Sequence, residues 1–144
     1  AGGAPPDGDL PVSEVYGFQE GKLEEHPGKA IVLRLEPLKD TMPEYEKILS
    51  EKRQSVTIGG NKNLADLVVR DEAVSKRHTV LSLIALNGEL ALSISDHSTN
   101  GTFVNGKRVP AKLKKFRIRS GDTLQIKDPG LEKDFGWKVD FGNT

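Results

Sequence analysis

Three Asn-Gly pairs, Asn87-Gly88, Asn100-Gly101 and Asn105-Gly106, sit between short runs rich in β-branched, aromatic and aliphatic residues. Asn and Gly tolerate the positive φ that tight strand reversals need, so each pair marks a place where the backbone turns back. Asn105-Gly106, with Thr102-Phe103-Val104 before it and Lys107-Arg108-Val109 after it, reads as a two-residue hairpin. Asn100-Gly101 differs because it follows Ser98-Thr99, so amide and hydroxyl groups crowd a loop tip suited to gripping a ligand.

Short strands fill the spaces between these turns. They are expected at Ala30 to Leu35, Ser55 to Ile58, Leu67 to Val69, Thr79 to Leu86, Leu90 to Ser95, Thr102 to Val104, Leu113 to Ile118, Thr123 to Ile126 and Trp137 to Phe141. Many short strands punctuated by Gly and Asn argue for an all-β, antiparallel two-sheet sandwich, because each strand covers only one face of a shared core. One segment breaks the pattern. Thr41 with Glu44 three residues on is a capping-box spacing, with Pro43 in the first turn, which predicts a short helix over Pro43 to Glu51 inserted between the first two strands. Residues 1–28 carry Gly2-Gly3, Pro5-Pro6, Pro11 and Pro27 among scattered acids, and are expected to be a flexible N-terminal arm; residues 29–144 form the domain.

Two further stretches carry chemistry. Ser75-Lys76-Arg77-His78 joins a polar turn to the apolar run from Thr79, and a serine, two cations and a histidine at the mouth of a strand suit an oxyanion. Val56-Thr57-Ile58-Gly59-Gly60 ends a strand in a glycine pair, followed by Asn61-Lys62-Asn63. Ile58-Gly59, then Ser75 to His78, then Ser98-Thr99-Asn100-Gly101-Thr102, in this order and at these spacings, resemble the forkhead-associated (FHA) domain over roughly residues 29–142. That resemblance implies an FHA-type β-sandwich that recognises phosphothreonine segments of partner proteins. By it, Ser75, Lys76 and Thr99 match phosphate-contacting positions, and Asn100 matches the amide that holds the ligand backbone. Arg77 lies in the same loop. His78 is implied to brace the loops from inside, while Gly59 and Gly101 allow the tight backbone.

The residue chemistry agrees. Ser75 and Thr99 offer hydroxyl donors and Lys76 a point charge, and a phosphorylated side chain carries about −1.5 to −2 charge on strong acceptor oxygens. Each charge-assisted hydrogen bond to it is worth roughly 1.5 to 3 kcal/mol, so two or three of them plus peptide contacts reach about −8 kcal/mol, a micromolar complex. There is one departure: the family usually carries arginine directly after the glycine of the first motif, and Gly60 stands there. Lys62 is the neighbouring cation that can reach in, but lysine lacks arginine's planar fork. A phosphate-independent protein–protein contact is therefore the alternative function.

Other classes fit less well. The 144 residues suffice for one core, and 35% apolar with 29% charged residues at zero net charge describes a globular chain with no overall bias toward nucleic acid or membrane. Locally, Lys107, Arg108, Lys112, Lys114, Lys115, Arg117 and Arg119 form a stretch without acids, expected to decorate solvated strand faces and edges; Phe116 alone offers a ring to stack bases, which speaks against nucleic acid. Ser75, His78 and Asp96 are the residue types of a hydrolytic triad but lack the nucleophile elbow, so no enzyme and no small-molecule substrate is expected. His26, His78 and His97 show no metal-ligand spacing, there is no cysteine, and no glycine-rich loop leads into a helix, so neither metal nor cofactor is expected. The absence of cysteine, of a signal-like start and of any apolar run near ~18 residues predicts an intracellular home, nuclear or cytoplasmic.

Overall fold

The computed structural model describes residues 20–26 and 28–143. In chain order its strands are β1 (Glu20–Gly21), β2 (Ala30–Pro37), β3 (Tyr45–Ser50), β4 (Ser55–Gly59), β5 (Leu67–Val68), β6 (Thr79–Leu86), β7 (Glu89–Asp96), β8 (Phe103–Val104), β9 (Lys107–Arg108), β10 (Phe116–Ile118), β11 (Thr123–Gln125) and β12 (Gly136–Asn143). One sheet runs β10-β7-β6-β4-β5, with β1 also on β6, and the other runs β3-β2-β12-β11-β8-β9. All pairings are antiparallel except β4 with β5. The two sheets are an all-β sandwich, as the turn spacing predicts.

The turns set the register. Asn87 and Gly88 adopt φ 50° and 80° and close β6 on β7 over eight paired positions, from Leu86 opposite Glu89 to Thr79 opposite Asp96. Asn105 and Gly106, at φ 52° and 81°, close β8 on β9 in the same way. Both are two-residue turns whose positive φ matches the twist of the flanking strands. Between the sheets, Leu81, Leu92, Ile94 and Ile118 from one face meet Leu33, Leu35, Leu124, Trp137 and Val139 from the other in one buried cluster. Burying a side chain of this size contributes about 1.5 to 3 kcal/mol each, so the core, rather than any single strand, fixes the fold. Trp137 is fully buried and its indole N–H donates to the Pro43 carbonyl at 2.7 Å.

The expected helix over Pro43 to Glu51 is absent; Tyr45–Ser50 is strand β3, paired along β2 from Leu35 opposite Tyr45 to Ala30 opposite Ser50. Tyr45 and Leu49 are four residues apart, a spacing that both a helix face and one face of a strand satisfy. An isolated helix of that length is marginal in water, whereas the unpaired edge of β2 offers a full ladder of backbone partners, so tertiary pairing overrides the local capping signal. The expected N-terminal arm lies, for residues 1–19 and 27, outside the described residues. Glu20–Gly21 pair with Leu86 and Ala85, and Leu23–Glu25 form a single 3-10 turn.

β6 begins at Thr79, which lies opposite both Ile58 at the end of β4 and Asp96 at the end of β7. The β4–β5, β5–β6 and β7–β8 loops therefore leave the same end of one sheet, and all three sequence motifs lie at that end.

The strand assignment of β3 predicts unequal costs at adjacent positions. Leu49 is fully buried and Ile48 is 58% exposed. Leu49→Ala is expected to cost about 2 to 5 kcal/mol and Ile48→Ala no more than about 0.5 kcal/mol in urea denaturation; comparable losses at both would contradict the alternation.

Candidate functional site

Gly59 lets the first two loops meet. A Cβ there would lie 2.1 Å from the Lys76 carbonyl oxygen, so no side chain fits. The adjoining backbones are stitched together: Gly60 N–H donates to Ser75 O at 3.0 Å and Asn61 N–H to Lys76 O at 3.3 Å. Asn61 then organises a compact turn, its side chain accepting from Asn63 N–H and its carbonyl from the N–H groups of Leu64 and Ala65. Lys62 is exposed on that turn, next to the residue that touches Lys76.

His78 joins the second loop to the third. Its ring is fully buried; Nδ1 accepts from Ser75 N–H at 3.0 Å and Nε2 lies 2.8 Å from Gly101 O. An acceptor at Nδ1 fixes the tautomer, so Nε2–H donates to the carbonyl. Its backbone is held too, His78 N–H donating to Ile58 O and His78 O accepting from His97 N–H, both at 2.9 Å. Burial pushes the His78 pKa below its ordinary value, against the opposing pull of the Gly101 carbonyl and of Asp96. The ring is thus a neutral spacer between loops.

Beneath the third loop lies a polar network that the sequence reading did not identify. Asp96, 1% exposed, accepts at Oδ1 from Ser98 N–H at 3.0 Å, Ser98 Oγ at 2.6 Å and Thr102 Oγ1 at 2.8 Å. Ser98 Oγ in turn accepts from Gly101 N–H at 2.7 Å, and Thr102 Oγ1 lies 2.8 Å from Thr79 Oγ1. A buried carboxylate so furnished with donors holds a loop in one conformation. Its available signal was Asp96 two residues before Ser98, the spacing of a side chain that accepts from the backbone two positions on.

On this scaffold Ser75, Lys76, Arg77, Thr99 and Asn100 come to one rim. Ser75 Oγ accepts from Thr99 N–H at 3.1 Å, which leaves the Ser75 hydroxyl proton to donate outward. Thr99 is exposed beside it, and Asn100 reaches across to donate to Ala73 O at 3.1 Å. Arg77 lies close enough to His97 that its charge, after burial, lowers the His97 pKa. Lys62, Lys76 and Arg77 are exposed and form no ion pair among the described residues. The rim therefore offers hydroxyl donors and uncompensated positive charge, an arrangement suited to an oxyanion. Among the described residues no group of His, Cys, Asp or Glu is placed to hold a metal ion, and no helix is long and apolar enough to cross a membrane.

Fold and motifs together define a two-sheet sandwich of the FHA type, and comparison with known proteins agrees on the class. The FHA domain model matches residues 56–127, half of the chain, and the chain belongs to the FHA family. It is 34% identical over 97 residues to the probable serine/threonine-protein kinase fhkA of Dictyostelium discoideum, a match that takes in 62% of this chain and only 16% of the kinase. Among solved structures, full-length yeast Pml1p superposes with TM-score 0.61 at 20% identity, covering 99% of each chain. The MEK1 FHA domain in complex with a HOP1 phosphothreonine peptide superposes with TM-score 0.54 at 20% identity, covering 76% of this chain and 93% of that one.

The lowered His78 pKa has a definite consequence for stability. An unfolded histidine titrates near ~6.5, so below that pH the unfolded chain binds a proton that the folded ring resists. Stability should be full above about pH 6.5 and decline as pH falls, with His97, shifted the same way, adding to the slope. In urea titrations between about pH 7.5 and 5, His78→Gln is expected to be less stable at neutral pH and to show a shallower decline; an undiminished slope in the variant would place the proton uptake elsewhere.

Proposed function

We propose that this domain binds phosphothreonine-containing segments of partner proteins and catalyses no reaction on them. The observation that carries the reading is the meeting of Ser75, Lys76 and Thr99, from two separate loops, on one rim braced by His78. Phosphate oxygens would take the Ser75 and Thr99 hydroxyl protons and the Lys76 ammonium, with Arg77 and Lys62 adding charge from either side. Asn100 keeps its carbonyl oxygen and one amide hydrogen for the ligand backbone. Family membership supports this, as does the phosphothreonine peptide held by the related MEK1 domain.

The geometry also speaks against hydrolysis. Ser75 Oγ is engaged with Thr99 N–H rather than with His78, both ring nitrogens of His78 are occupied, and Asp96 serves Ser98 and Thr102. No nitrogen is left to act as general base toward the serine. Phe116, the one aromatic within the basic stretch, is buried at 3% exposure and offers no platform for a base. An intracellular partner, nuclear or cytoplasmic, belongs to the same proposal.

Gly60 favours a second reading, a phosphate-independent protein contact through the same loops. The position itself is adjacent to the rim, its N–H bonded to Ser75 O. A Cβ there would meet Val74 O at 3.5 Å, Val69 O at 3.6 Å and Ser75 O at 3.8 Å, all ordinary contacts, so an arginine is sterically acceptable.

Affinity for a phosphothreonine-oriented peptide library should exceed that for its unphosphorylated counterpart at least tenfold, about 1.4 kcal/mol, and should fall in Thr99→Ala and Lys76→Ala without loss of fold. Gly60→Arg should tighten binding of phosphorylated peptides alone, through slower dissociation. Equal affinity for both peptide forms would overturn the phosphate reading in favour of the phosphate-independent one.

A further inference from the structure

Arg108 belongs to the basic stretch expected on solvated strand faces, yet its side chain turns back onto Gly101, in the loop that carries Thr99 and Asn100. It lies on β9 opposite Phe103. A Cβ built on Gly101 would lie 2.9 Å from Arg108 Nε, 3.2 Å from its Cζ and 3.2 Å from Phe103 Cε1. Gly101, at φ 107°, therefore leaves a notch that the guanidinium and the ring edge fill together. Its side chain is exposed and makes no hydrogen bond or ion pair with any described residue. A guanidinium positioned by packing, with its donor fork unused, is ready for a carboxylate.

The distance of Gly101, against which Arg108 packs, from Thr99 can be bounded. Gly101 is two residues along the loop from Thr99, at most ~7.6 Å between Cα atoms at ~3.8 Å per step. An extended ligand covers that span in about two residues at ~3.3 Å each. We propose that Arg108 is a specificity-determining residue that pairs with an acidic side chain about two residues from the phosphothreonine, on the Asn100 side of the bound segment; this rests on the phosphothreonine reading above.

The test scans glutamate against alanine through three positions on each side of phosphothreonine, in fluorescence competition at low salt. The unmodified domain should favour glutamate about threefold to fivefold at one position or two adjacent ones, the upper part of the range for an exposed ion pair. Arg108→Ala should abolish that preference and leave binding of the all-alanine phosphopeptide unchanged, and Arg108→Glu should prefer lysine at the same place. Arg108→Gln, which keeps most of the packed stem, carries the test should Arg108→Ala lower the melting temperature. A uniform loss across all phosphopeptides would overturn the proposal, since Arg108 would then serve the phosphate itself. A phosphate preference with no glutamate preference would overturn it alone, whereas no phosphate preference at all would remove the reading beneath it.

Discussion

The loop end of the sandwich depends on the buried His78 ring and its two hydrogen bonds. One nitrogen accepts from the loop that carries Ser75 and Lys76, and the other donates to the loop that carries Thr99 and Asn100. Each group so joined would otherwise be a backbone donor or acceptor without water, at a cost of about 1 to 3 kcal/mol apiece. Protonation would place a second donor where Ser75 N–H already points, so the tautomer, the burial and the lowered pKa are one constraint. Fixing both loops in advance would lower the ordering cost of the binding proposed for them.

Two other features make that constraint possible. Gly59 admits the Lys76 carbonyl to a position no Cβ would allow, which brings the cation loop flush with the end of β4. Asp96 gathers three donors at a single carboxylate oxygen and thereby shapes the Ser98–Thr102 turn that presents Gly101 to His78. The side chains of Lys76, Arg77 and Thr99 are exposed on this frame, whereas Ser75, half-buried, belongs to it through its bonds to His78, Gly60 and Thr99. Exposed side chains of this kind can change at little cost to the frame beneath them.

Much of this was legible in the chain because it is local. Asn87-Gly88 and Asn105-Gly106 announce hairpins through a backbone requirement that few other residues meet, and Thr79 to Leu86 reads as strand from composition alone. Ser75, Thr99 and His78 were found as motif members, and the folded chain brings them together. What stayed hidden is non-local. The Tyr45–Ser50 segment carries a helix-start signal and a spacing common to helix and strand, and only the free edge of β2 decides between them. Arg108 reads as one cation among seven, since nothing in its neighbours tells that Gly101 leaves room for its guanidinium. The hydrogen bonds of Asp96 likewise depend on a turn whose closure involves Thr79, on another strand.

The central claim, that these braced loops form the recognition surface, is tested most directly by two-dimensional NMR of the domain titrated with a phosphothreonine peptide. The account predicts that the amide signals of Ser75, Lys76, Thr99, Asn100 and Gly101 shift together, while a slowly exchanging His78 Nε2–H signal persists through the titration. Shifts confined to the sheet faces or to the Lys112–Arg119 stretch, with the Ser75 and Thr99 amides unmoved, would contradict it.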